Sequence, residues 1–259
     1  MKYTLITGAS SGIGYELAKV FAKQKHNLIL VARNSEKLER LSAELEAKYA
    51  IKAEVIPADL SLVGAAHQLF YAVQKRGLAV ETLVNNAGLG DHGTFLSADL
   101  KRQMEMIQVN IVALTELTKL FLPAMTESKS GRILNVASTA AFQPGPLMSV
   151  YYATKAYVLF FSEGLAEELK NTGVTVTTLC PGPTTSGFQE AANMKNVALM
   201  TTLKLPSSED VAIYGYKALM RGKAVAVHGS VNHLMASTVG LMPRAWARKL
   251  VMKLQEKRQ

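Results

Sequence analysis

The stretch Thr7-Gly8-Ala9-Ser10-Ser11-Gly12-Ile13-Gly14 lies between a short β-rich run, residues 3–6, and a segment with helical spacing, residues 15–25. Glycine allows a strand-to-helix loop to turn tightly and lets another group approach the backbone closely. Backbone N–H groups at the start of the helix then face an anion such as a pyrophosphate. A tight turn alone would account for the glycines, but their position between the first strand and a helix favours a nucleotide-binding loop.

Further β-rich runs follow along the chain, separated by segments with helical spacing. With the first run they are residues 3–6, 28–31, 53–56, 82–84, 132–136, 174–179 and 224–227. The alternation predicts βαβ units, and strands that are apolar throughout are typical of a parallel sheet covered by helices on both faces. We therefore predict an α/β fold, a Rossmann-like, doubly wound sheet of seven parallel strands.

Composition predicts one domain over residues 1–259, because 49% hydrophobic residues are enough for one large core. The single cysteine, Cys180, cannot form an intrachain disulfide, and the first residues do not resemble a secretory signal, so we expect a cytoplasmic protein. The apolar stretch 224–243 is interrupted by polar residues and glycines, and we do not predict a transmembrane helix there.

The net charge of +9 is concentrated at the end of the chain, where residues 244–259 carry six basic side chains and one acidic one. The remaining body is mildly basic, which suits an enzyme that binds an anionic cofactor and argues against nucleic acid as the partner. The region without a clear pattern, residues 183–206, is predicted to be a lid, since functional loops are the usual reason for such length.

The tail, residues 244–259, has the pattern of a basic amphipathic helix with Arg248, Lys249 and Lys253 outside its apolar arc. The arc consists of Trp246, Ala247, Leu250, Val251 and Leu254. We favour packing of this arc on the body or on another subunit, so that removing the tail lowers solubility or changes the oligomer and leaves the catalytic residues in place. The alternative is peripheral attachment to a membrane of anionic lipid, which would suit an amphipathic substrate.

The end of the second predicted strand, Ala32-Arg33-Asn34, indicates the type of nucleotide. An acidic residue there would bond a ribose 2′-hydroxyl, whereas Arg33 offers a forked donor that matches a 2′-phosphate, which favours NADP(H). Lys37, one turn further on, is either an additional phosphate contact or a solvated lysine. Asp59, after the third strand, is a helix N-cap, an adenine contact or both.

Several ordered motifs together resemble the short-chain dehydrogenase/reductase family, in its compact branch. They are Thr7-Gly8-x3-Gly12-x-Gly14, Asn86-Ala87-Gly88, Asn110, Ser138, Tyr151-x3-Lys155 and Pro181-Gly182. The resemblance extends from the first strand to about residue 188. Together with the nucleotide pattern, it implies a cofactor site of Gly8, Ser10, Ser11, Gly12, Ile13, Gly14, Arg33, Asn34, Asp59, Leu60, Asn86, Ala87, Gly88, Tyr151, Lys155, Pro181, Gly182 and Thr184.

Two adjacent tyrosines precede Lys155, and on a helix Tyr151 and Tyr152 are both its neighbours, so spacing alone selects neither. The family pattern of serine, tyrosine, three residues and lysine selects Tyr151 and Ser138, and Tyr152 is then a packing or interface residue. A phenol with a pKa of about 10 needs a nearby cation to act near neutral pH, and Lys155 would supply it. The resemblance also implies that Lys155 bonds the nicotinamide ribose and that Asn110 helps to hold a water chain that reaches it.

These features predict an NADP(H)-dependent oxidoreductase that interconverts a carbonyl compound and its alcohol, with Ser138, Tyr151, Lys155 and Asn110 as catalytic residues. We expect a homodimer or homotetramer and no metal site, because the histidines and the cysteine lack ligand spacing. An apolar or amphipathic substrate is indicated by the candidate pocket residues Phe142, Leu147, Met148, Phe188, Met194, Leu199 and Met200. Two alternatives are a non-catalytic NADP-binding redox sensor and a membrane-surface scaffold.

Overall fold

A computed structural model describes residues 1–194, 197 and 205–256 of the chain. Its strands are β1 Lys2–Thr7, β2 Asn27–Ala32, β3 Ala53–Pro57, β4 Ala79–Asn85, β5 Gly131–Val136, β6 Val174–Cys180 and β7 Val225–Val227. In these described residues the seven strands form one parallel sheet in the order β3-β2-β1-β4-β5-β6-β7. Each predicted β-rich run is a strand, so the predicted doubly wound sheet is confirmed.

Helices cover both faces of this sheet. They are α1 Gly12–Lys23, α2 Ser35–Tyr49, α3 Ala65–Lys75, α4 Leu100–Ile107, α5 Leu114–Glu127, α6 Ser149–Glu168, α7 Phe188–Ala191, α8 Ser208–Met220, α9 Ser230–Thr238 and α10 Arg244–Gln255. On one face Leu17 and Phe21 of α1 pack with Leu41 of α2 and Val211 of α8. On the other face α3 and α5 form the core, with α6 alongside. Continuous apolar burial on both faces explains why the strands lack an alternating pattern.

The strand order reverses between β1 and β4, and this point fixes where the site lies. Ligands of doubly wound sheets bind in the crevice outside the carboxyl ends of the strands at such a switch point. The loop Gly8–Ser11 after β1 and the loop that begins at Asn86 after β4 both start there. The predicted glycine-rich loop therefore leads directly into this crevice.

A continuous helical segment, Leu100–Glu127, runs from α4 through a π-helical turn, Gln108–Ala113, into α5. Its length and its mean hydropathy of 1.2 are sufficient for a helix that crosses a membrane. Core helices of globular proteins meet the same two criteria. Its residues Leu117 and Phe121 are buried against the sheet, which identifies it as a core helix in this fold. A π-helical turn frequently marks a functional position, and here the turn contains Asn110.

The two ends of the predicted lid are joined at its base. Thr185 pairs with Ser207 in a parallel β-bridge, and the hydroxyl of Ser208 donates a hydrogen bond to the carbonyl of Thr185 at 2.9 Å. The described residues on either side of the predicted lid therefore lie next to each other. The predicted pocket residues Leu199 and Met200 lie outside the described residues.

Candidate active site

A cavity of about 650 Å³ opens at the carboxyl edge of the sheet, between the loops that follow β1 to β6 and the helices α9 and α10. Among the residues predicted for the site, those that line the cavity are Gly8, Ser10, Ser11, Gly12, Ile13, Arg33, Asn34, Asp59, Leu60, Asn86, Ala87, Gly88, Ser138, Tyr151, Lys155, Pro181, Gly182 and Thr184. The chain thus brings all the predicted cofactor and catalytic residues except Gly14 and Asn110 to the lining of one cavity.

The glycine-rich loop needs its glycines for conformation and for close packing. Gly8 and Gly12 have φ angles of 68° and 57°, in the left-handed region that side chains disfavour. A Cβ on Gly8 would lie 2.8 Å from the amide nitrogen of Asn86. That amide donates to the carbonyl of Thr7 at 2.9 Å, so Asn86 braces the loop as well as lining the cavity.

Gly14, predicted as a cofactor contact, does not line the cavity. A Cβ at Gly14 would collide with the carbonyl of Gly8 and the side chain of Asn86. The residue is buried in the first turns of α1, behind the loop. Its absence of a side chain lets α1 pack closely on the loop, and its contribution to the cofactor site is indirect.

Arg33 and Asn34 lie at the end of β2 on the rim of the cavity, where both are exposed. The side chain of Asn34 accepts a hydrogen bond from the backbone N–H of Lys37 at 2.9 Å and so caps α2. Arg33 is one residue earlier, outside the helix, and its charge acts on Asp59. Lys37 is exposed but does not line the cavity.

Asp59 lines the same end of the cavity, next to Leu60. Its carboxylate accepts hydrogen bonds from the backbone and hydroxyl of Ser61 at 3.0 and 2.7 Å. Burial raises the pKa of Asp59, but the bonds from Ser61 and the charge of Arg33 outweigh it and hold the pKa below its ordinary value. The N-cap alternative is wrong, because α3 begins later and Gly64 occupies that position.

Ser138, Tyr151 and Lys155 approach one another at the middle of the cavity. Ser138 follows β5 and caps a 3₁₀ turn, Thr139–Phe142, by accepting from the N–H of Ala140 at 3.1 Å. Tyr151 and Lys155 are one turn apart on α6, and the Lys155 Nζ lies 5.8 Å from the centroid of the Tyr151 ring. The same Nζ donates to the carbonyl of Val136 at 2.8 Å, which fixes the ammonium beneath the cavity.

The pKa of Tyr151 shifts in the direction opposite to the sequence-based expectation. Burial raises the pKa of its phenol, and the hydrogen bond with Ser138 offsets only part of that rise. Burial also lowers the pKa of Lys155 to about 8. Desolvation of the phenolate outweighs the hydrogen bond with Ser138, so Tyr151 is protonated near neutral pH, the state that a proton donor requires.

Asn110 does not line the cavity and acts on it through its neighbours. Its carboxamide accepts from the N–H of Leu89 at 2.8 Å and donates to the carbonyl of Leu89 and the hydroxyl of Thr154, both at 2.9 Å. A Cβ on Gly88 would meet both the Asn110 oxygen and the Lys155 Nζ at about 3.4 to 3.5 Å. Asn110 therefore ties the loop after β4 to α6 beside the lysine, as a positioning residue.

The loop after β6 forms a further wall of the cavity and reaches the glycine-rich loop, where Ser186 lies against Gly12. The carbonyl of Pro181 accepts from the hydroxyl of Ser138 at 3.4 Å, and Gly182 packs so closely on Asn232 that a Cβ would collide with it. Thr184 is buried and donates to the carbonyl of Gly182 at 2.9 Å. The predicted loop is therefore next to the predicted catalytic serine.

The residues predicted for the substrate wall are divided between the cavity and other parts of the fold. Met148, Phe188 and Met194 line the cavity. Phe142 and Leu147 do not. Phe142 lies at the end of the 3₁₀ turn and packs in a separate cluster with Cys180 and Val227. The carbonyl of Leu147 accepts from Gly93 at 2.8 Å, so this residue joins two loops instead.

Helix α10 supplies cavity residues that the sequence reasoning missed. Val251 packs with Tyr152, Met148 and Met194, and Leu254 and Gln255 also line the cavity. Only half of the predicted apolar arc is packed on the body, since Ala247 and Val251 are buried. The favoured prediction that the arc packs on the body is confirmed for Ala247 and Val251. The sequence did not indicate that the tail also lines the cavity next to Tyr152, and the effect of removing it stays a prediction.

The geometry fits a dinucleotide. Gly8 and Gly12 leave a cradle free of side chains at the switch point, and the lining continues without interruption from Arg33 to Tyr151. Such a crevice is the dinucleotide site of doubly wound folds. The tyrosine, serine and lysine next to it are acid–base and hydrogen-bonding groups, and they define the class of protein as a dinucleotide-dependent oxidoreductase.

Comparison with known proteins gives the family. A family model described as short chain dehydrogenase matches residues 2–196. A Mus musculus protein named very-long-chain 3-oxoacyl-CoA reductase is 31% identical over 256 residues, which cover 97% of this chain and 78% of the relative. A Gallus gallus protein named hydroxysteroid dehydrogenase-like protein 1 is 32% identical over 255 residues, which cover 95% and 73%.

Among solved structures, a short-chain dehydrogenase from Sphingobium yanoikuyae in complex with NADPH is 30% identical, with a TM-score of 0.81 over 93% of this chain and 95% of that chain. The chain described here belongs to the short-chain dehydrogenase family, and the family prediction made from its motifs is confirmed. It is an oxidoreductase that acts on a carbonyl compound or the corresponding alcohol, in a family that uses a nicotinamide cofactor.

Proposed function

We propose that the protein is an NADP(H)-dependent oxidoreductase that reduces the ketone or aldehyde of an apolar or amphipathic compound, or oxidises the matching alcohol. The observation that carries the proposal is the convergence of Ser138, Tyr151 and Lys155 on the same cavity as Arg33. A site for cofactor alone does not require a protonated phenol beside a serine hydroxyl. Chemistry at a substrate oxygen does.

In this proposal each residue has a defined task. The nicotinamide, when bound, supplies a hydride for carbonyl reduction or accepts one from an alcohol. Tyr151 gives its phenolic proton to the substrate oxygen as negative charge develops there, and takes it back in the reverse direction. Ser138 donates a hydrogen bond to the same oxygen. Lys155 stabilises the phenolate that remains, with Asn110 positioning the loop and helix on either side.

The preference for NADP(H) rests on the end of β2. Ala32 offers no carboxylate for a ribose 2′-hydroxyl, whereas Arg33 is exposed on the cavity rim and presents a planar fork suited to a phosphate. The charge of Arg33 also acts on Asp59. The similar Sphingobium yanoikuyae protein, whose structure contains NADPH, supports the same choice.

The substrate class is proposed from the wall of the cavity and from the relatives. Met148, Phe188, Met194 and Val251 form an apolar wall next to Tyr151. The 31% identical mouse relative is named a very-long-chain 3-oxoacyl-CoA reductase. We therefore propose a long-chain 3-oxoacyl thioester as the first substrate to test, with its alkyl chain against this wall.

The NADP-binding sensor is the second hypothesis, since a fold alone does not determine function. A cytoplasmic location and a homodimer or homotetramer stay predictions.

Oxidation of NADPH with a panel of carbonyl compounds tests the proposal. The panel contains 3-oxoacyl thioesters of increasing chain length, a bulky cyclic ketone and a sugar aldehyde, each also with NADH. We expect turnover with the apolar ketones and NADPH. Tight NADPH binding without turnover of any member, in wild type and in Tyr151→Phe alike, would favour the sensor.

A further inference from the structure

The segment that contains α9 and α10 exposes more large apolar side chains than a folded surface needs. Those exposed within residues 231–250 are Val231, Leu234, Met235, Leu241, Trp246 and Leu250. Leu241 and Trp246 are 86% and 69% exposed. Contiguous apolar exposure of this kind, next to polar residues, marks an interaction site.

Helix α10 is divided into two apolar faces with different partners. Ala247 and Val251 face the body of the protein and are buried, whereas Trp246 and Leu250, one turn apart, face away from it. The sequence pattern showed one broad apolar arc, and the fold uses only half of it. The exposed half has no partner within the described part of the chain.

Basic side chains flank this exposed half. On a helix of 3.6 residues per turn, Lys249 and Lys253 lie on the arc next to Trp246 and Leu250. Arg248 is also exposed, and none of these cations forms an ion pair with a carboxylate among the described residues. A tryptophan and a leucine bordered by unpaired lysines are typical of a helix that lies in a membrane interface.

The same two helices form the mouth of the active-site cavity. Val231 and Met235 of α9 and Val251 and Leu254 of α10 line it. Val231 and Met235 are exposed as well, so the apolar surface continues from solvent into the cavity. A molecule bound at this surface would be next to the cavity opening.

We propose that Leu241, Trp246, Leu250, Lys249 and Lys253 form a docking surface for a membrane that contains anionic lipid. Charge complementarity selects this occupant. A second copy of the chain joined through the same face by a twofold axis would place these cations near their own counterparts. Anionic headgroups would instead pair with the cations while Trp246 and Leu250 enter the apolar boundary of the bilayer.

Vesicle binding tests the proposal directly, and Trp246 is the single tryptophan of the chain, so its emission reports on this surface alone. The full-length protein is sedimented with vesicles of phosphatidylcholine, with or without phosphatidylserine, at low and high salt. We expect binding and a blue shift of Trp246 emission with the anionic vesicles at low salt, and loss of both at high salt. Protein that stays in the supernatant with anionic vesicles at low salt would overturn the proposal.

Two variants locate the contact, and two matched variants control for charge and hydrophobicity. Leu250→Asp and Lys249→Glu/Lys253→Glu should each weaken vesicle binding by roughly tenfold or more. The controls are Leu62→Asp, at another exposed leucine, and Lys48→Glu/Lys75→Glu, in the last turns of α2 and α3. Equal binding of all four variants and the wild type would overturn the assignment of this surface.

Sedimentation equilibrium without lipid tests the competing occupant. An oligomer that dissociates in Leu250→Asp, together with wild-type protein that does not bind vesicles, would assign the surface to a second copy. Thermal unfolding of each variant establishes that the fold is intact. These measurements contain neither substrate nor cofactor, so their outcome is independent of the proposed reaction.

Discussion

The side-chain amide of Gln255 donates a hydrogen bond to the hydroxyl of Tyr152 at 2.8 Å, across 103 positions of sequence. The backbone carbonyl of Gln255 also accepts from the His92 Nε2 at 2.8 Å. Helix α10 is thereby attached both to α6, which carries the proposed proton donor, and to the loop after β4. The end of the described chain is a wall of the active-site cavity, and its attachment determines the shape of that cavity.

The two adjacent tyrosines should differ sharply in their effect on turnover. Tyr151→Phe removes the proposed proton donor and should abolish turnover, while the Kd for NADPH changes only a few-fold. Tyr152→Phe should retain most of the kcat, because its hydroxyl is bonded to Gln255 and not to Ser138. Steady-state kinetics measures the turnover of each variant, and NADPH fluorescence titration measures its Kd for NADPH. An inactive Tyr152→Phe beside an active Tyr151→Phe would reverse the assignment.

The pair of Tyr152 and Gln255 should contribute to the docking of α10 through a coupled hydrogen bond. Gln255→Leu and Tyr152→Phe each leave a polar group buried without its partner, which costs about 1–3 kcal/mol. The double variant removes both groups and should lose less stability than the sum of the two single variants. Thermal or urea unfolding of the four proteins gives the coupling energy. Strict additivity would show that the bond does not stabilise the docked helix.

If docking of α10 shapes the cavity, Gln255→Leu should also raise the KM for an apolar ketone more than it lowers kcat. The chemistry at Tyr151 is unchanged in this variant, while the wall formed by Val251 and Leu254 is displaced. Equal KM values for the variant and the wild type would show that the position of α10 does not affect substrate binding.

Arg33 should determine the choice of cofactor. Arg33→Ala removes a charge-assisted contact to a 2′-phosphate worth on the order of 1.5–3 kcal/mol, or roughly 10- to 150-fold in affinity. NADH lacks that phosphate, so its KM should change little. The control is Arg40→Ala, an exposed arginine on α2 that pairs with Glu36 at 2.6 Å. Equal KM values for NADPH and NADH in the wild type would already contradict the predicted preference for NADP(H).

The sheet and the glycine-rich loop could be predicted because their signals are local. Each strand is a short apolar run, and Gly8 and Gly12 occupy positions whose backbone angles disfavour side chains. The distinction between Tyr151 and Tyr152 was not local, since both are neighbours of Lys155 on a helix. It required the family pattern, and the structure now adds a physical difference, because only Tyr152 is bonded to α10.

The positions of α10 and of the pocket residues could not be predicted for a different reason. A helical period shows that Trp246, Ala247, Leu250 and Val251 share an arc, but which half packs depends on what lies beside it in the fold. Gln255 carries no motif, and its role depends on a tyrosine 103 positions earlier in the chain. Phe142 turned away from the cavity because a 3₁₀ turn, invisible in the apolar pattern, redirects it.

Burial of Lys155 should make the protein less stable than it would be without this lysine, by an amount that depends on pH. Its folded-state pKa of about 8 lies below the ordinary value of 10.5, so the unfolded chain binds the proton more tightly between these values. Below about pH 8 the full cost of burying the ammonium is present, and it disappears as the pH rises towards 10.5. Lys155→Met lacks this cost. Its stability relative to wild type should therefore be most favourable near pH 7 and should decline as the pH approaches 10, although the variant is inactive throughout.

Urea unfolding of both proteins at several pH values measures this difference, and titration of the groups that do not interact with Lys155 cancels in the comparison. Lys75→Met, in the exposed last turn of α3, controls for the loss of a lysine elsewhere. The hydrogen bond from Lys155 to Val136 is also lost in the variant, which offsets part of the gain at every pH but leaves the slope unchanged. A difference that is constant from pH 7 to pH 10, or that grows in favour of Lys155→Met as the pH rises, would show that the buried ammonium does not oppose folding. A decline would show that the buried Lys155 ammonium opposes folding, as expected of a residue placed for chemistry and not for stability.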